Sequence, residues 1–127
     1  MRKSLAALIT AALVLAGCST MYGAPPPPTK VMDGVLTNVS GMTLYTFDKD
    51  AAGSGKSECN GPCATNWPPL LAAADATASG DYTIITRSDG ARQWAYKGKP
   101  LYLWIKDTKP GDRTGDGFNN VWRVARS

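Results

Sequence analysis

Two hydrophobic rhythms divide this chain. From Leu5 to Leu15 the residues form an apolar run of eleven, interrupted only by Thr10. That is too short to cross a bilayer core of roughly 30 Å as a helix. Beyond Val31 the rhythm shortens to two. Tyr45 and Phe47 alternate with Leu44 and Thr46, and Tyr102 and Trp104 repeat the arrangement, which places each aromatic pair on one face of a strand. Strand-like stretches at Val35–Val39 and Gln93–Tyr96 precede these copies, and Ser40-Gly41 and Lys97-Gly98 punctuate them as turns. Further strands are expected at Tyr82–Arg87 and Trp122–Ala125. Leu70–Ala78 is the one helix-compatible stretch. It lacks an amphipathic period and reads as a connection.

Comparing the chain with itself exposes a repeat. Gly41-Met42-Thr43-Leu44-Tyr45-Thr46-Phe47-Asp48-Lys49-Asp50 aligns with Gly98-Lys99-Pro100-Leu101-Tyr102-Leu103-Trp104-Ile105-Lys106-Asp107. Glycine, leucine, tyrosine, lysine and the final aspartate recur at a spacing of 57, and each copy leads through a Gly-rich loop to a tryptophan, Trp67 or Trp122. The expected fold is all-β and mainly antiparallel: one small domain, residues 31–127, built from two similar β-repeats at about 31–69 and 82–125. A signal helix and a Pro-rich tether precede it.

The N-terminal run is an address. Arg2 and Lys3 head it, and Leu15-Ala16-Gly17-Cys18 at its end resembles the lipobox of bacterial lipoproteins. The resemblance implies removal of residues 1–17, lipid such as palmitate on the Cys18 sulfur, and membrane lipid as a partner through that group. Two or three acyl chains anchor stably where one is marginal. Ser19, in place of the aspartate that commonly marks inner-membrane retention, favours the outer membrane in a diderm host, with the domain in the periplasm or at the cell surface. Residues 18–30 then form a lipidated tether. Its four prolines, Pro25–Pro28, favour extended polyproline II of roughly 3.1 Å per residue. The alternative for the proline run is a recognition motif for a proline-binding domain.

Composition adds three constraints. The apolar share of 43% and charged share of 19% are ordinary for a globular chain. Of fourteen basic residues two lie in the signal, so twelve face ten acidic ones after cleavage, a surplus too small to argue for nucleic acid. Histidine is absent, which removes the usual general base and the commonest metal ligand. The chain is therefore expected not to be an enzyme, with no catalytic residues, no metal and no cofactor. Three cysteines close as lipidated Cys18 plus a Cys59/Cys63 pair outside the cytosol.

Tyr45-x-Phe47-x-x-Asp50 and Tyr102-x-Trp104-x-x-Asp107 share one signature: tyrosine, an aromatic two residues on, an aspartate three further. With Cys59, Cys63, Trp67-Pro68-Pro69, Gly98-x-Pro100-Leu101-Tyr102 and Pro110-Gly111-Asp112, the chain resembles the bacterial lipoproteins known as the secreted repeat of unknown function. The resemblance covers Val31 to Trp122. It implies kinship and a shared domain, and it carries no established activity.

The remaining candidates each have two readings. Cys59-Asn60-Gly61-Pro62-Cys63 reads foremost as a structural disulfide, with a redox pair or a cuprous site helped by Met32 and Met42 as the alternative. The aromatics supply either a core or an exposed platform for a glycan. Asp50 and Asp107 read as acceptors for backbone amides in the loops that follow them. Asp112–Asn120 faintly resembles a calcium loop, but Arg123 stands where a bidentate glutamate is needed, so a turn is favoured. Asp48 and Asp50 would share a strand face. The whole describes a non-enzymatic envelope lipoprotein that binds an envelope protein or glycan, or alternatively a periplasmic redox or copper-handling protein.

The lipobox makes a direct prediction. Cys18→Ser should abolish incorporation of radioactive fatty acid and leave an uncleaved precursor that stays out of the detergent phase. A labelled Cys18→Ser protein contradicts the assignment.

Overall fold

The computed structural model describes residues 26–127; Cys18, the signal segment and the first half of the tether lie outside them. Among the described residues there are seven short strands: β1 Lys30–Met32, β2 Val35–Thr37, β3 Tyr45–Phe47, β4 Tyr82–Thr86, β5 Arg92–Tyr96, β6 Lys99–Pro100 and β7 Trp122–Val124. Every ladder is antiparallel. The sequence expectation of an all-β domain of two repeats holds. Val35–Val39 is shorter than expected, because the chain turns at Asn38, whose side chain accepts from the Ser40 and Met42 amides. Asp33-Gly34 and Lys97-Gly98 form the two-residue turns of β1–β2 and β5–β6, all four residues at positive φ.

One expectation needs correction. The only α-helix of the described residues is α1, Pro62–Asn66, inside the cysteine loop, and Leu70–Ala78 is a connection. Pro62 opens α1, where its missing N–H goes unneeded, and Trp67 N–H bonds back to Cys63 O at its end. So short a helix has no amphipathic period to read.

The repeats are interlocked; they are not two adjacent halves. At the centre, Tyr45 N–H donates to Tyr102 O at 2.8 Å and Tyr102 N–H to Tyr45 O at 2.9 Å, relating the copies by a pseudo-twofold axis. On one side three segments close a ring of bonds: Leu36 N–H to Ala125 O, Ala125 N–H to Leu44 O, and Leu44 N–H to Leu36 O, at 2.8, 2.8 and 3.0 Å. On the other, Trp94 N–H reaches Leu70 O, Leu70 N–H reaches Leu101 O, and Leu101 N–H reaches Trp94 O, at 2.9, 2.9 and 3.0 Å. Each ring takes two segments from one repeat and the tail of the other. β7, from the end of the second repeat, pairs with β3 of the first. The equivalent tail of the first, Pro68-Pro69, lies beside Tyr102 of the second, where Leu103 N–H donates to Pro68 O. Proline lacks the donor that would make this tail a strand, so only a bridge forms.

The same exchange builds the core. Trp104, Trp67, Trp122 and Phe47 stack in that order, with centroid separations of 3.9, 3.8 and 4.3 Å. Each tail tryptophan lies on the signature aromatic of the opposite repeat. Tyr45 meets Trp67 edge-on at 5.2 Å and Tyr102 meets Trp122 edge-on at 5.1 Å. Such pairs each add about 0.5–1.5 kcal/mol beyond their buried area. Gly115 is required beside the stack, since a Cβ there would sit 2.6 Å from the Trp67 ring. Below lies a second cluster of Leu36, Leu44, Leu101 and Ala125.

Candidate functional site

The signature residues meet across the pseudo-twofold axis. β3 and the Leu101–Tyr102 segment run side by side, so each tyrosine ring passes beneath the loop of the other repeat. Tyr45 Oη donates to Asp107 Oδ2 at 2.6 Å, and Tyr102 Oη donates to Asp50 Oδ2 at 2.5 Å. Each aspartate accepts with its other oxygen from its own loop: Asp50 from the Glu58 amide at 2.6 Å, Asp107 from the Thr114 amide at 3.0 Å and hydroxyl at 2.6 Å. Ser57 Oγ lies 2.6 Å from Tyr102 Oη, and the Gly115 amide donates to Tyr45 Oη. All six signature side chains, Tyr45, Phe47, Asp50, Tyr102, Trp104 and Asp107, are buried.

Burial first, and the facing carboxylate second, push both phenols well above the ordinary tyrosine value of 10.0. Burial also raises the Asp50 carboxyl above its ordinary range, while the Tyr102 hydroxyl and the Glu58 amide pull it back. The two crossed pairs thus hold their protons on tyrosine. Neither oxygen is presented to solvent.

A further polar cluster joins the cysteine loop of the first repeat to Tyr102 and its neighbours in the second. Arg87, 5% exposed, donates to Ser57 Oγ, to Gln93 Oε1 at 2.7 Å and to Cys59 O at 2.5 Å. Gln93, fully buried, donates to Leu101 O at 2.8 Å. The sequence reading missed Arg87, Gln93, Ser57 and Thr114. The sequence held no decisive signal for any of them: Arg87 shares strand parity with buried Ile85, but Ile84 on the opposite parity is equally apolar, so the pattern alone does not select the inward face.

Cys59 and Cys63 form a disulfide, with Cα atoms 5.2 Å apart, that ties the loop to the first turn of α1. Cys59 is fully buried. Half-buried Cys63 opens on a cleft of about 380 Å³ edged by Phe47, Trp67, Phe118 and Trp122. Asp48 and Asp50 do not share a face, because β3 ends at Phe47: Asp48 is exposed on Arg123 at 2.8 Å and Asp50 turns inward. In the Asp112–Asn120 loop, the Thr108 amide first and the Lys109 side chain next hold Asp112 down at about 2. Asp116 accepts from the Val124 amide. Among the described residues no three Cys, Asp or Glu side chains gather as a metal cluster.

Tyr45→Phe and Tyr102→Phe should each cost about 1–3 kcal/mol, since either leaves a buried carboxylate oxygen without its donor. Unfolded tyrosines ionise near pH 10 while these two hold their protons. Their contribution is therefore complete below about pH 10 and falls as pH rises further. Urea unfolding between about pH 9 and pH 11.5 should show that decline, with a shallower slope in either variant. Equal slopes in parent and variants contradict the crossed pairs.

The chain matches no curated protein and no solved structure. One family model matches it twice, over residues 29–71 and 83–126. The two matches cover both signature copies, both tail tryptophans and the disulfide loop. The chain belongs to the lipoprotein family described as the secreted repeat of unknown function.

Proposed function

We propose that this secreted lipoprotein is a non-enzymatic binding module, held in the cell envelope by lipid on Cys18 and displayed on its Pro-rich tether to an envelope glycan or protein. One observation carries the reading: all six signature side chains are buried, and their polar atoms are satisfied within the fold. A signature consumed in this way specifies a scaffold. It leaves the outer surface for recognition, as in other folds that carry sites on their loops. The disulfide belongs to the scaffold in this reading, since Cys59 is buried and its carbonyl accepts from Arg87.

Detergent-solubilised protein should co-sediment with envelopes from cells that lack it. Loss of the interaction after muramidase treatment identifies a glycan partner, and loss after protease a protein. A Cys59→Ala/Cys63→Ala variant should lose about 2 kcal/mol, the chain-entropy value for so small a loop, and still co-sediment. If that variant folds stably but has lost an electron-transfer or copper-binding activity present in the parent, the redox alternative replaces this reading.

A further inference from the structure

The outer side of the β3–β7 ladder, together with the β5–β6 hairpin, encloses an open cleft of about 500 Å³. That volume falls within the range of small-molecule sites. Lys97, Lys99, Arg123 and Arg126 line it, with Asp48 and Asp116 as the acidic counterparts. Arg123 is committed to Asp48 at 2.8 Å. Asp116 Oδ1 is committed to the Val124 amide at 3.1 Å. Lys97, Lys99 and Arg126 are exposed and enter no ion pair among the described residues. Four cations against two carboxylates leave the cleft lining with a positive surplus, and an anion seated among Lys97, Lys99 and Arg126 relieves their mutual repulsion.

Two further observations separate this cleft from an ordinary charged surface. Lys97 occupies the first position of a two-residue hairpin turn at φ 50°, a left-handed conformation suited to Asn, Asp or Gly. The β1–β2 hairpin meets the same demand with Asp33, at φ 52°. A lysine held where its backbone is strained, its ammonium 5.3 Å from the Tyr96 ring centre, marks a position where the side chain counts for more than the turn. The second observation comes from the pseudo-twofold axis. Positions related to Lys97, Lys99 and Arg126 hold Ser40, Met42 and Leu71, and those related to Asp48 and Arg123 hold Ile105 and Pro68. The fold forms on that side with no charge at these places, so the charges are not needed to build it.

We propose that this cleft binds an anionic saccharide, a sugar phosphate or sugar acid. Its anionic group is held by Lys97, Lys99 and Arg126, and its hydroxyls bond to Asp116 and Thr46, which also line the cleft. Asp116 favours a hydroxylated anion over a bare one: its carboxylate repels the anionic group of either, but only the saccharide offers it sugar hydroxyls to accept from in return. A phospholipid headgroup layer is the competing source of such an anion and forms one arm of the test. The assignment deepens the binding-module reading and rests on it.

The test uses the detergent-purified full chain at low salt, with amide chemical shifts of Lys97, Lys99 and Arg126 as the readout. The probes are glucose 6-phosphate, inorganic phosphate, glucose, and phosphatidylcholine vesicles containing phosphatidylglycerol. Glucose 6-phosphate should bind several-fold more tightly than inorganic phosphate or glucose, and Lys97→Gln/Lys99→Gln/Arg126→Gln should weaken it at least about tenfold. Lys97→Asn should melt no lower than the parent, because asparagine suits the turn, while binding more weakly. Inorganic phosphate binding as tightly as the sugar phosphate, capture by vesicles alone, or unchanged binding in the variants overturns the proposal. If the triple variant still co-sediments fully with envelopes, this site fails and the module reading stands. If the parent binds glucose 6-phosphate here but no envelope material, the site stands and the module reading fails.

Discussion

The reciprocal pairing of Tyr45 with Tyr102 is the constraint on which the rest of the molecule depends. Two backbone hydrogen bonds fix the copies face to face, and the same two side chains then cross to Asp107 and Asp50 in the opposite repeat. Because the tyrosines cross, each loop is closed by the other repeat's strand. Because the loops are closed there, Trp67 and Trp122 arrive beside the opposite signature aromatics, and four rings stack through the centre. Three short strands on each side could not hold a core alone. Closed as rings and joined at the axis, they leave the central strand segments no open edge.

Part of this was legible in the sequence. The alternation of Leu44, Tyr45, Thr46 and Phe47 identified the strands, and the spacing of 57 identified the repeat. The exchange of tails was not legible, because the same repeat appears whether each tail pairs with its own copy or with the other. Pro68-Pro69 conceals the first tail further, since proline hides a strand position that Arg123-Val124 shows openly in the second. Arg87 escaped notice because its charge argued for the surface, while the carbonyl of Cys59 and the side chains of Ser57 and Gln93 made burial affordable inside. The aspartates were read as loop acceptors. Their tyrosine partners lie 52 and 62 residues away, beyond the reach of any local pattern.

The division of labour follows the axis. What the two copies share is glycine, leucine, tyrosine, lysine and aspartate, together with the paired tryptophans, and of these the leucines, tyrosines, aspartates and tryptophans lie inside while Lys49 and Lys106 are exposed. What differs includes a cysteine-stapled helical turn in one loop, an Asp-Gly-rich turn in the other, the buried Arg87 and Gln93 of the second repeat, and, at the surface, a basic cleft on one face only. A family signature of this kind reports a way of folding. Activity has to be sought where the copies diverge, because there the fold does not dictate the residue.

The interlocked core is tested most directly by native-state hydrogen exchange on the intact protein, read at the amides of Leu36, Leu44, Tyr45, Leu70, Trp94, Leu101, Tyr102 and Ala125. If the tails are exchanged, no repeat can open without the other, and all eight amides should exchange through one opening with the free energy of global unfolding. Two distinct classes, with Leu36, Leu44 and Tyr45 opening at a free energy different from that of Trp94, Leu101 and Tyr102, would contradict the account.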